Sequence, residues 1–330
     1  MMKIVVIGPG ALGCLLAAAL AAKFKPGAGQ DQNPPTIWLL DHDRERASLL
    51  AEKGLLLEED GARYFCRPKV TATPAAIGHA DLILLCVKSR DVQAGLQSAG
   101  ALASAGSLLI TLQNGIDHLA GLRRTSLPGA MAVGVTAQGA TLIGPGHVRH
   151  AGRGLTRVGF IKATKGREAA TLAAAAALLS AAAIETVPVD NIIDHVWAKM
   201  FVNVGINALT AIYDCANGRL LEIPAAREQL ISAVREAEKI ARAKGLVIKD
   251  DPVAATLAVC RATAANLSSM LQDVKKKRPT EIAAINGAVV AEGRRLAIAA
   301  PTNEALIRAV KNIEQGYEES HENSSPADRF

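Results

Sequence analysis

The stretch that decides the fold lies near the N-terminus and reads Lys3-Ile-Val-Val-Ile-Gly8-Pro-Gly10-Ala-Leu-Gly13. Its first five residues form an apolar run typical of a short buried strand, and residues 14–24 have the pattern of a helix. The three glycines between them have the spacing Gly-x-Gly-x-x-Gly. That spacing indicates a dinucleotide site when a strand precedes it and a helix follows it, and both conditions are met here.

Each glycine of this fingerprint has a steric role. Gly8 permits a tight turn, Gly10 lets the backbone approach a pyrophosphate, and Gly13 lets the helix pack close to the sheet. Ala11 and Leu12 lie between the last two glycines, next to the N-terminus of the helix, where free N–H groups and a partial positive charge attract phosphate. We therefore expect a bound dinucleotide here rather than a purely structural glycine-rich turn.

The pattern beyond the fingerprint is that of a parallel α/β sheet. Apolar runs at 36–40, 81–87 and 107–112 predict further buried strands, and 90–103 has a helical pattern. Strands that alternate with helices favour a Rossmann-type parallel sheet with right-handed crossovers. The Pro- and Gly-rich segment 25–35 is expected to form a surface insertion.

The pattern changes after about residue 130, where short β-type runs separated by glycines indicate an antiparallel extension of the sheet. These runs lie at 130–136, 140–143, 146–150 and 155–160. A helix over 166–183 and a strand over 185–189 follow. The sequence thus predicts an α/β dinucleotide-binding domain over 1–190, an all-helical domain over 191–317 and a disordered polar tail over 318–330.

Composition narrows the class of protein. The chain has 330 residues, 50% of them hydrophobic, and a formal net charge of +6, which fits a two-domain globular protein with a large core. Since no Lys/Arg cluster is interleaved with aromatic residues, we expect no nucleic-acid partner, and the short basic run 275–278 is interpreted as a solvated helix end. The alanine-rich run 169–183 is too short and too weakly hydrophobic to span a bilayer.

The cysteines indicate a reducing compartment. The five thiols are scattered and form no Cys-x-x-Cys pair, which argues against a disulfide framework and a zinc site, so no metal is expected. No secretory signal is visible near the N-terminus. We therefore expect a cytoplasmic protein, and the sequence is compatible with a monomer or a homodimer.

The residues after the second strand leave the choice of nicotinamide dinucleotide open. Asp41 ends that strand, where a carboxylate can accept a hydrogen bond from the ribose 2′-hydroxyl and repel a 2′-phosphate, which favours NAD(H). Arg44 and Arg46 follow at once, and Lys88 follows the strand 81–87. These cations could hold a 2′-phosphate, which favours NADP(H), although both arginines also suit a solvated first helical turn.

A polar stripe marks the start of the helical region. Lys199, Asn203 and Asn207 lie four residues apart, so on a helix they share one face within an otherwise apolar segment. Such a stripe has no packing purpose and suits the binding of a small polar molecule. The simpler alternative is a lysine that extends its amine to solvent at a domain junction.

A second polar stripe is predicted on a helix over 264–273. Asn266, Ser269 and Asp273 fall at i, i+3 and i+7, which is again one face. The opposite face carries apolar residues suited to the core, namely Leu267, Met270, Leu271 and Val274. A further helix is expected to begin at Pro279, with Thr280 as N-cap and Glu281 in its first turn. Taken alone, Glu281 is best interpreted as a carboxylate that interacts with the helix macrodipole.

Four stretches together resemble the ketopantoate reductase (2-dehydropantoate 2-reductase) family. They are Gly8-Pro-Gly-Ala-Leu-Gly13, Asn114-Gly115, Lys199-x-x-x-Asn203-x-x-x-Asn207 with Asn217-Gly218, and Asn266-Leu-Ser-Ser-Met-Leu-Gln-Asp273 with Thr280-Glu281-Ile-x-x-Ile-Asn286-Gly287. Their order runs through the chain to about residue 315. The resemblance implies a helical domain like that of 6-phosphogluconate dehydrogenase. It also implies reduction of ketopantoate to pantoate by NADPH, a step of pantothenate and coenzyme A biosynthesis.

The resemblance also implies a role for each candidate residue. Lys199 matches the catalytic general acid, and Glu281 matches the carboxylate that binds the reacting hydroxyl and helps to hold the lysine. Asn114 matches a residue near the nicotinamide, and Lys88 matches a cofactor contact. The remaining candidates match substrate ligands or their helix, and they are Asn203, Asn207, Ser269 and Asn266.

The chemistry of these residue types agrees with such roles. A ketone that receives a hydride develops charge on its oxygen, and a positioned ammonium can donate a proton there, an effect worth ~10²–10⁴ in rate. Glu281 can stabilise the charged form of that ammonium. Ser269 can hold the carboxylate of a 2-keto acid, and Asn203 or Asn207 can bind a remote hydroxyl.

The sequence departs from the family pattern at one position and leaves three alternatives open. The family usually carries an arginine just past the second strand, where this chain has Asp41-His-Asp-Arg44. The alternatives are a β-hydroxyacid dehydrogenase, a reductase of a related 2-keto acid, and a dinucleotide-binding sensor without turnover. Ser269 together with Glu281 argues against the first of these.

Overall fold

The computed structural model describes residues 1–25, 33–162 and 164–322. The chain divides into two compact units, one formed by residues 1–113 and 118–195 and the other by residues 114–117 and those from 196 onward. Residues 26–32 of the insertion predicted at 25–35 lie outside the described residues.

The first unit begins with the strand, turn and helix that the fingerprint predicts, β1 (Lys3–Ile7) and α1 (Ala11–Lys23). Its further elements are β2 (Thr36–Leu40), α2 (Arg44–Lys53), β3 (Leu55–Glu59), β4 (Ala62–Cys66), β5 (Lys69–Thr71), β6 (Leu82–Leu85), α3 (Val92–Leu102), β7 (Leu108–Thr111), α4 (Asp117–Arg124), β8 (Ala130–Thr136), β9 (Gly139–Gly144), β10 (His147–Gly152), β11 (Thr156–Gly159), α5 (Arg167–Ala181) and β12 (Thr186–Pro188).

The central sheet confirms the parallel α/β prediction. Its strands follow the order β12-β11-β8-β7-β6-β1-β2-β5 within the described residues. β1 pairs in parallel with both β2 and β6, so the chain order reverses at β1. Such a reversal opens a crevice at the carboxyl ends of the strands, where α/β sheets bind ligands. The fingerprint turn therefore lies at the ligand-binding edge.

The antiparallel extension is confirmed in part. β11 pairs antiparallel with β8 and in parallel with β12. The runs at 140–143 and 146–150 instead belong to a second sheet of order β4-β3-β10-β9, in which β10 pairs in parallel with β3. This pairing corrects the expectation that all four runs extend the central sheet. The partner strand β3 belongs to a hairpin whose turn, Asp60-Gly61, has the positive φ values that tight hairpins need.

α1 is apolar all round because it packs against strands of both sheets. Its buried residues include Cys14, Leu15, Leu16 and Leu20, so every face of the helix contributes to the core. A helix without a polar face is typical of a position inside a protein. This packing fixes the direction in which the N-terminus of α1 points.

The second unit is helical, as predicted. Its elements are most of α6 (Ile192–Ile212), a 3₁₀ turn (Asn217–Leu221), α7 (Pro224–Ala243), α8 (Pro252–Ala262), α9 (Ser269–Lys275), a π-helical turn (Ala283–Gly287), α10 (Ala288–Arg295) and α11 (Pro301–Glu322). No described helix combines the length and apolarity that crossing a membrane requires. α11 extends to Glu322, into the segment 318–330 for which a disordered tail is predicted, and the rest of that tail lies outside the described residues.

Two local predictions in this unit are wrong. The helix expected over 264–273 begins only at Ser269, because Ser268 caps it by accepting the N–H of Leu271 at 3.1 Å. Leu267 therefore precedes the helix and is exposed rather than packed in the core. The helix expected from Pro279 starts as the π-helical turn, with Glu281 just before it rather than inside a first α-helical turn.

Candidate active site

The fingerprint turn has the geometry that its glycines require. Gly8 has a φ of +99°, which L side chains rarely adopt. A Cβ at Gly13 would lie 1.9 Å from the carbonyl oxygen of Gly8, so only glycine lets α1 start so close to β1. Gly10 differs, because a Cβ there would meet only Cys86 O, at 4.0 Å. The space in front of Gly10 suits the close approach of a ligand.

The start of α1 suits an anion. No described side chain caps this helix, and its first turn contains no acidic residue. The first N–H groups of a helix have no partner within it, and those of Ala11 and Leu12 are among them. The helix end therefore offers donors and a partial positive charge at the carboxyl edge of the sheet, as a pyrophosphate requires.

Gln113 follows β7 at the same edge and is a feature that sequence reasoning missed. Its amide nitrogen donates to Leu85 O at 2.7 Å and lies 3.4 Å from Val87 O, which fixes the orientation of the amide. Its Oε1 is buried without a hydrogen-bond partner in the described chain. A buried acceptor without a donor is unfavourable, so a hydroxyl or amide donor of a ligand would stabilise it. Together with the turn and α1, this fits a dinucleotide.

Asp41 does not present a free carboxylate. Its side chain is fully buried, and Arg46 donates to both carboxylate oxygens at 2.6 Å. The N–H of Asp43 adds a third hydrogen bond at 3.1 Å. A bidentate pair of this kind is among the strongest side-chain interactions, and the hydrogen bonds that Arg46 donates to Asp41 raise the pKa of Arg46 above its ordinary value. The direct ribose contact predicted for Asp41 is therefore blocked by Arg46.

The other cations predicted near the cofactor are exposed. Arg44 lies in the first turn of α2, whose N-cap is Asp43, and its side chain has no charged partner in the described chain. Lys88 lies just before the short 3₁₀ turn Ser89–Asp91, three residues beyond the end of β6. Arg46 differs from Arg44 because its guanidinium is held by two hydrogen bonds to Asp41.

The catalytic candidates of the second unit form a hydrogen-bonded chain. The ammonium of Lys199 donates to Asn114 Oδ1 at 2.8 Å, and Asn114 Nδ2 donates to Glu281 Oε2 at 3.0 Å. An ammonium only donates and a carboxylate only accepts, so the orientation of the bridging carboxamide is fixed by its neighbours. Three residues that are far apart in the sequence are thus brought together, with Asn114 as the bridge.

The surroundings of Lys199 lower its pKa. Desolvation lowers the pKa of Lys199 to about 8, and the negative charge of Glu281 opposes this effect. A group with a pKa near the working pH is protonated for much of the time and also gives up its proton readily. Lys199 therefore has the acidity of a general acid, whereas an ordinary exposed lysine does not.

α6 places the polar stripe as predicted. It is continuous from Ile192 to Ile212, so Lys199, Asn203 and Asn207 share one face. Asn207 is buried and Asn203 is half-buried. Neither carboxamide makes a side-chain hydrogen bond within the described chain, which leaves both available to a ligand. Two amides that are partly out of water and without a partner are costly unless something binds them.

α9 is joined to α6 through residues that sequence reasoning missed. The buried hydroxyl of Ser268 lies 2.6 Å from that of Thr210 on α6, while Ser268 also caps α9. Thr210 is one turn after Asn207, so this contact brings the first residue of α9, Ser269, to the same end of α6. Asn266 is exposed and precedes α9, so the predicted single face of Asn266, Ser269 and Asp273 does not exist.

The cysteines have no place in this chemistry. All five thiols are free, and burial raises the pKa of each above its ordinary value. The pKa of Cys14 reaches about 12 and that of Cys260 about 11. The thiolate is the reactive form, so none of these side chains is activated as a nucleophile. The described residues also contain no group of three or more His, Cys, Asp or Glu that could hold a metal ion.

Comparison of the sequence with models of known protein families shows to which family the chain belongs. A family model described as ketopantoate reductase PanE/ApbA matches residues 4–163, and a model of the C-terminal part of the same family matches residues 191–314. The chain belongs to the PanE/ApbA ketopantoate reductase family. Family members are nicotinamide dinucleotide-dependent oxidoreductases, so the chain is placed in that class.

Relatives within the PanE/ApbA family match nearly the whole length of the chain. A 2-dehydropantoate 2-reductase of Halobacterium salinarum is 36% identical over 94% of this chain and 98% of its own length. The enzyme of the same name from Vibrio cholerae is 33% identical over 96% of this chain and 99% of its own.

Solved structures agree with the PanE/ApbA assignment. A family ketopantoate reductase from Ralstonia eutropha JMP134 has a TM-score of 0.83 and 29% identity, covering 96% of this chain and 100% of that one. A D-mandelate dehydrogenase in complex with NADH and anilino(oxo)acetate has a TM-score of 0.85 and 26% identity, covering 96% and 99%.

Proposed function

We propose that the chain is a 2-dehydropantoate 2-reductase that converts ketopantoate to pantoate, with Lys199 as the proton donor. The observation that carries this proposal is the chain of hydrogen bonds from Lys199 through Asn114 to Glu281. It joins Lys199, whose pKa of about 8 suits a general acid near neutral pH, to the carboxylate of Glu281. The chain also belongs to a family of nicotinamide-dependent oxidoreductases, which need such an acid.

The reaction needs one hydride and one proton. A reduced nicotinamide dinucleotide supplies the hydride when it is bound. As the 2-keto carbon accepts the hydride, its C=O double bond becomes a single bond and negative charge develops on the oxygen. Lys199 donates its proton to that oxygen, which completes the hydroxyl of pantoate and leaves a neutral amine that is reprotonated from solvent. Electrostatic stabilisation by the ammonium precedes the transfer itself.

Glu281 and Asn114 act on the lysine and on the product hydroxyl. The carboxylate favours the charged form of Lys199 in a desolvated position. Asn114 holds the ammonium through its Oδ1, which restricts the directions in which the proton can be given. After the transfer, Glu281 can accept a hydrogen bond from the new hydroxyl.

The substrate ligands are proposed from their free hydrogen-bonding groups. Asn203 and Asn207 offer carboxamides on the same helical face as Lys199, and these suit the remote hydroxyl of ketopantoate. Ser269 offers a hydroxyl at the N-terminus of α9, where a carboxylate is also favoured by the first N–H groups. Asn266 precedes α9, and it contributes from a loop rather than from the helix.

For the cofactor we propose a preference for NADPH, with Arg46 as the ligand of the 2′-phosphate. Asp41 cannot repel that phosphate as an isolated charge, because Arg46 neutralises it with two hydrogen bonds. The partly exposed guanidinium keeps further N–H groups for an anion, and Asp41 fixes its direction. Asp41 thus acts through Arg46 rather than on the ribose.

The deciding experiment measures oxidation of NADPH and of NADH side by side with ketopantoate. We expect turnover with both, a lower KM for NADPH, and a loss of kcat of about 100- to 10,000-fold in Lys199→Met with cofactor binding retained. Arg46→Gln should raise the KM for NADPH by about 10- to 100-fold and leave that for NADH nearly unchanged, since a charged hydrogen bond is worth about 1.5–3 kcal/mol. Unchanged turnover in Lys199→Met would refute the assigned reaction, and a preference for NADH would refute the cofactor proposal.

A reductase of another 2-keto acid is the second candidate, and the D-mandelate dehydrogenase neighbour with NADH favours testing it. A phenyl-substituted 2-keto acid has no remote hydroxyl to pair with Asn203 or Asn207. If either amide is a substrate ligand, ketopantoate should be preferred, and Asn207→Leu should reduce that preference. Equal kcat/KM for both substrates would favour the second candidate.

A further inference from the structure

The π-helical turn that follows Glu281 is fastened by one fully buried side chain, that of Asn286. Its Nδ2 donates to Val204 O on α6 at 3.3 Å and to Asn303 Oδ1 on α11 at 3.0 Å. An amide in a fully buried place is costly unless its hydrogen atoms are bonded, and here both have acceptors. The turn is therefore tied to two helices at once.

The orientation of this amide is imposed from further along the same network. Asn303 Nδ2 donates to Ala233 O at 3.1 Å and to the carboxylate of Glu236 at 2.8 Å, so its Oδ1 must face Asn286. Glu236 also accepts the backbone N–H groups of Thr302 and Asn303 at 2.8 and 3.0 Å, which caps α11 from α7. The network thus joins α6, α7 and α11 to the π-helical turn.

The turn is in direct contact with the catalytic chain. Ile285 N donates to the backbone carbonyl of Glu281 at 3.0 Å, so Glu281 is anchored to the turn. A Cβ at Gly115 would lie 2.3 Å from Ala284 O, so the backbone beside Asn114 packs tightly on the same turn. Two of the three members of the catalytic chain therefore depend on the position of this turn.

The third member depends on it as well. Val204, whose carbonyl Asn286 holds, lies on α6 five residues after Lys199. A π-helical turn is uncommon, and such turns occur frequently at functional sites. Besides the chain through Asn114, the amide of Asn286 is a second side-chain link between the element that carries Glu281 and the helix that carries Lys199.

We propose that Asn286 is a positioning residue for the reduction, which sets the location of Glu281 and Asn114 relative to Lys199 through the carbonyl of Val204. The proposal rests on the proposed function, because it assumes that Lys199 and Glu281 act in turnover. A misplacement of about 1 Å in such a group can cost about 100-fold in rate, so the anchoring of the turn has a direct effect on kcat.

The test combines Asn286→Leu, which keeps the size but removes both donors, with Glu281→Gln. We expect Asn286→Leu to lower kcat about 10- to 100-fold while the Kd of NADPH, measured by fluorescence titration, stays unchanged. In the Glu281→Gln background the same substitution should lower kcat by a smaller factor than in the parent, because both changes act on one hydrogen-bonded chain. The control is Thr256→Val, which removes a hydroxyl that is also fully buried and belongs to a side chain beside Gly205 of α6, and which should leave kcat unchanged.

Each result decides the question. Losses that multiply in the double variant, or an Asn286→Leu enzyme with the parental kcat, would overturn the positioning role. If Asn286→Leu does not fold, Asn286→Asp takes its place, since it also lacks the amide donors. It is compared in the same way, alone and combined with Glu281→Gln. Lys199→Met distinguishes failure of the positioning role from failure of the proposed function. If Lys199→Met is inactive and Asn286→Leu has the parental kcat, only the positioning role is refuted. An active Lys199→Met enzyme refutes the proposed function itself.

Discussion

The substitution Glu281→Gln tests whether the carboxylate acts on the lysine. Glutamine keeps the shape and an oxygen that can accept from Asn114, so the principal change is the loss of one negative charge. The two hydrogen bonds of the catalytic chain, 2.8 and 3.0 Å long, place the charges of Lys199 and Glu281 no more than about 8 Å apart.

The expected effect follows from that distance. Two unit charges about 8 Å apart interact by about 2 kcal/mol at an effective dielectric constant of about 20, which equals about 1.5 pKa units. Without the charge of Glu281, the pKa of Lys199 should therefore fall below about 8. At pH 7.5 a smaller fraction of Lys199 would then be protonated.

The assay is the pH dependence of kcat/KM for ketopantoate at saturating NADPH. A general acid is active below its pKa, so activity should be lost as the pH rises through about 8 in the parent enzyme. In Glu281→Gln this alkaline limb should move to lower pH by about 1.5 units. Glu292→Gln is the matched control, since Glu292 pairs with Lys244 and Arg295.

The reasoning is refuted by an alkaline limb that stays in place. Lower activity in Glu281→Gln with an unmoved limb would mean that Glu281 binds the substrate hydroxyl without affecting Lys199. A parent profile that is flat between pH 7 and pH 9.5 would remove Lys199 from the role of proton donor.

Three further outcomes are expected. Gly10→Ala should stay folded and lose cofactor affinity at least about tenfold. Gly13→Ala should lower the melting temperature, because its Cβ would lie 1.9 Å from Gly8 O. If the two variants had equal melting temperatures and equal cofactor affinities, the separate roles given to Gly10 and Gly13 would be wrong. Ser268→Ala should lower the free energy of unfolding by about 1 kcal/mol through loss of the α9 cap, and it should raise the KM for ketopantoate. An unchanged KM would mean that the cap does not position Ser269 for the substrate. In the parent, the free energy of unfolding should rise between about pH 8 and 10.5, because in this range Lys199 is protonated in the unfolded chain but not in the folded one. Lys199→Met should lack this rise. Stability curves of parent and variant that stay parallel over this pH range would contradict the lowered pKa.

The parts of the fold that the sequence predicts well are those in which a local pattern and the tertiary contacts agree. The fingerprint places β1 and α1 correctly because the steric demands of Gly8 and Gly13 are met within the turn itself. The stripe on α6 is correct because a long apolar helix keeps a fixed period, so spacing alone determines which residues share a face.

The second sheet is missed because its pairing is non-local. β10 pairs with β3 across some ninety residues, and no period within β9 or β10 distinguishes that partner from the central sheet. One local signal was available. Asp60-Gly61 between two β-type runs is a strong hairpin signal, and it would have indicated an additional pair of strands.

The candidate site is predicted by residue type better than by geometry. Ser268 and Ser269 are adjacent, and only the position of the cap decides which of them faces Thr210. The bidentate pair of Asp41 and Arg46 likewise depends on how α2 leaves the strand. The bridging position of Asn114 joins distant parts of the chain, so spacing does not reveal it.

The state of the thiols has a practical consequence. Because the pKa of every native cysteine is raised above its ordinary value, alkylating reagents and mild oxidants have little thiolate to attack near neutral pH. A single cysteine introduced on the exposed polar face of α7 or α11 should therefore react with a maleimide dye faster than the buried Cys14, Cys66 and Cys260 do. Site-specific fluorescent labelling of this reductase can leave those three thiols in place.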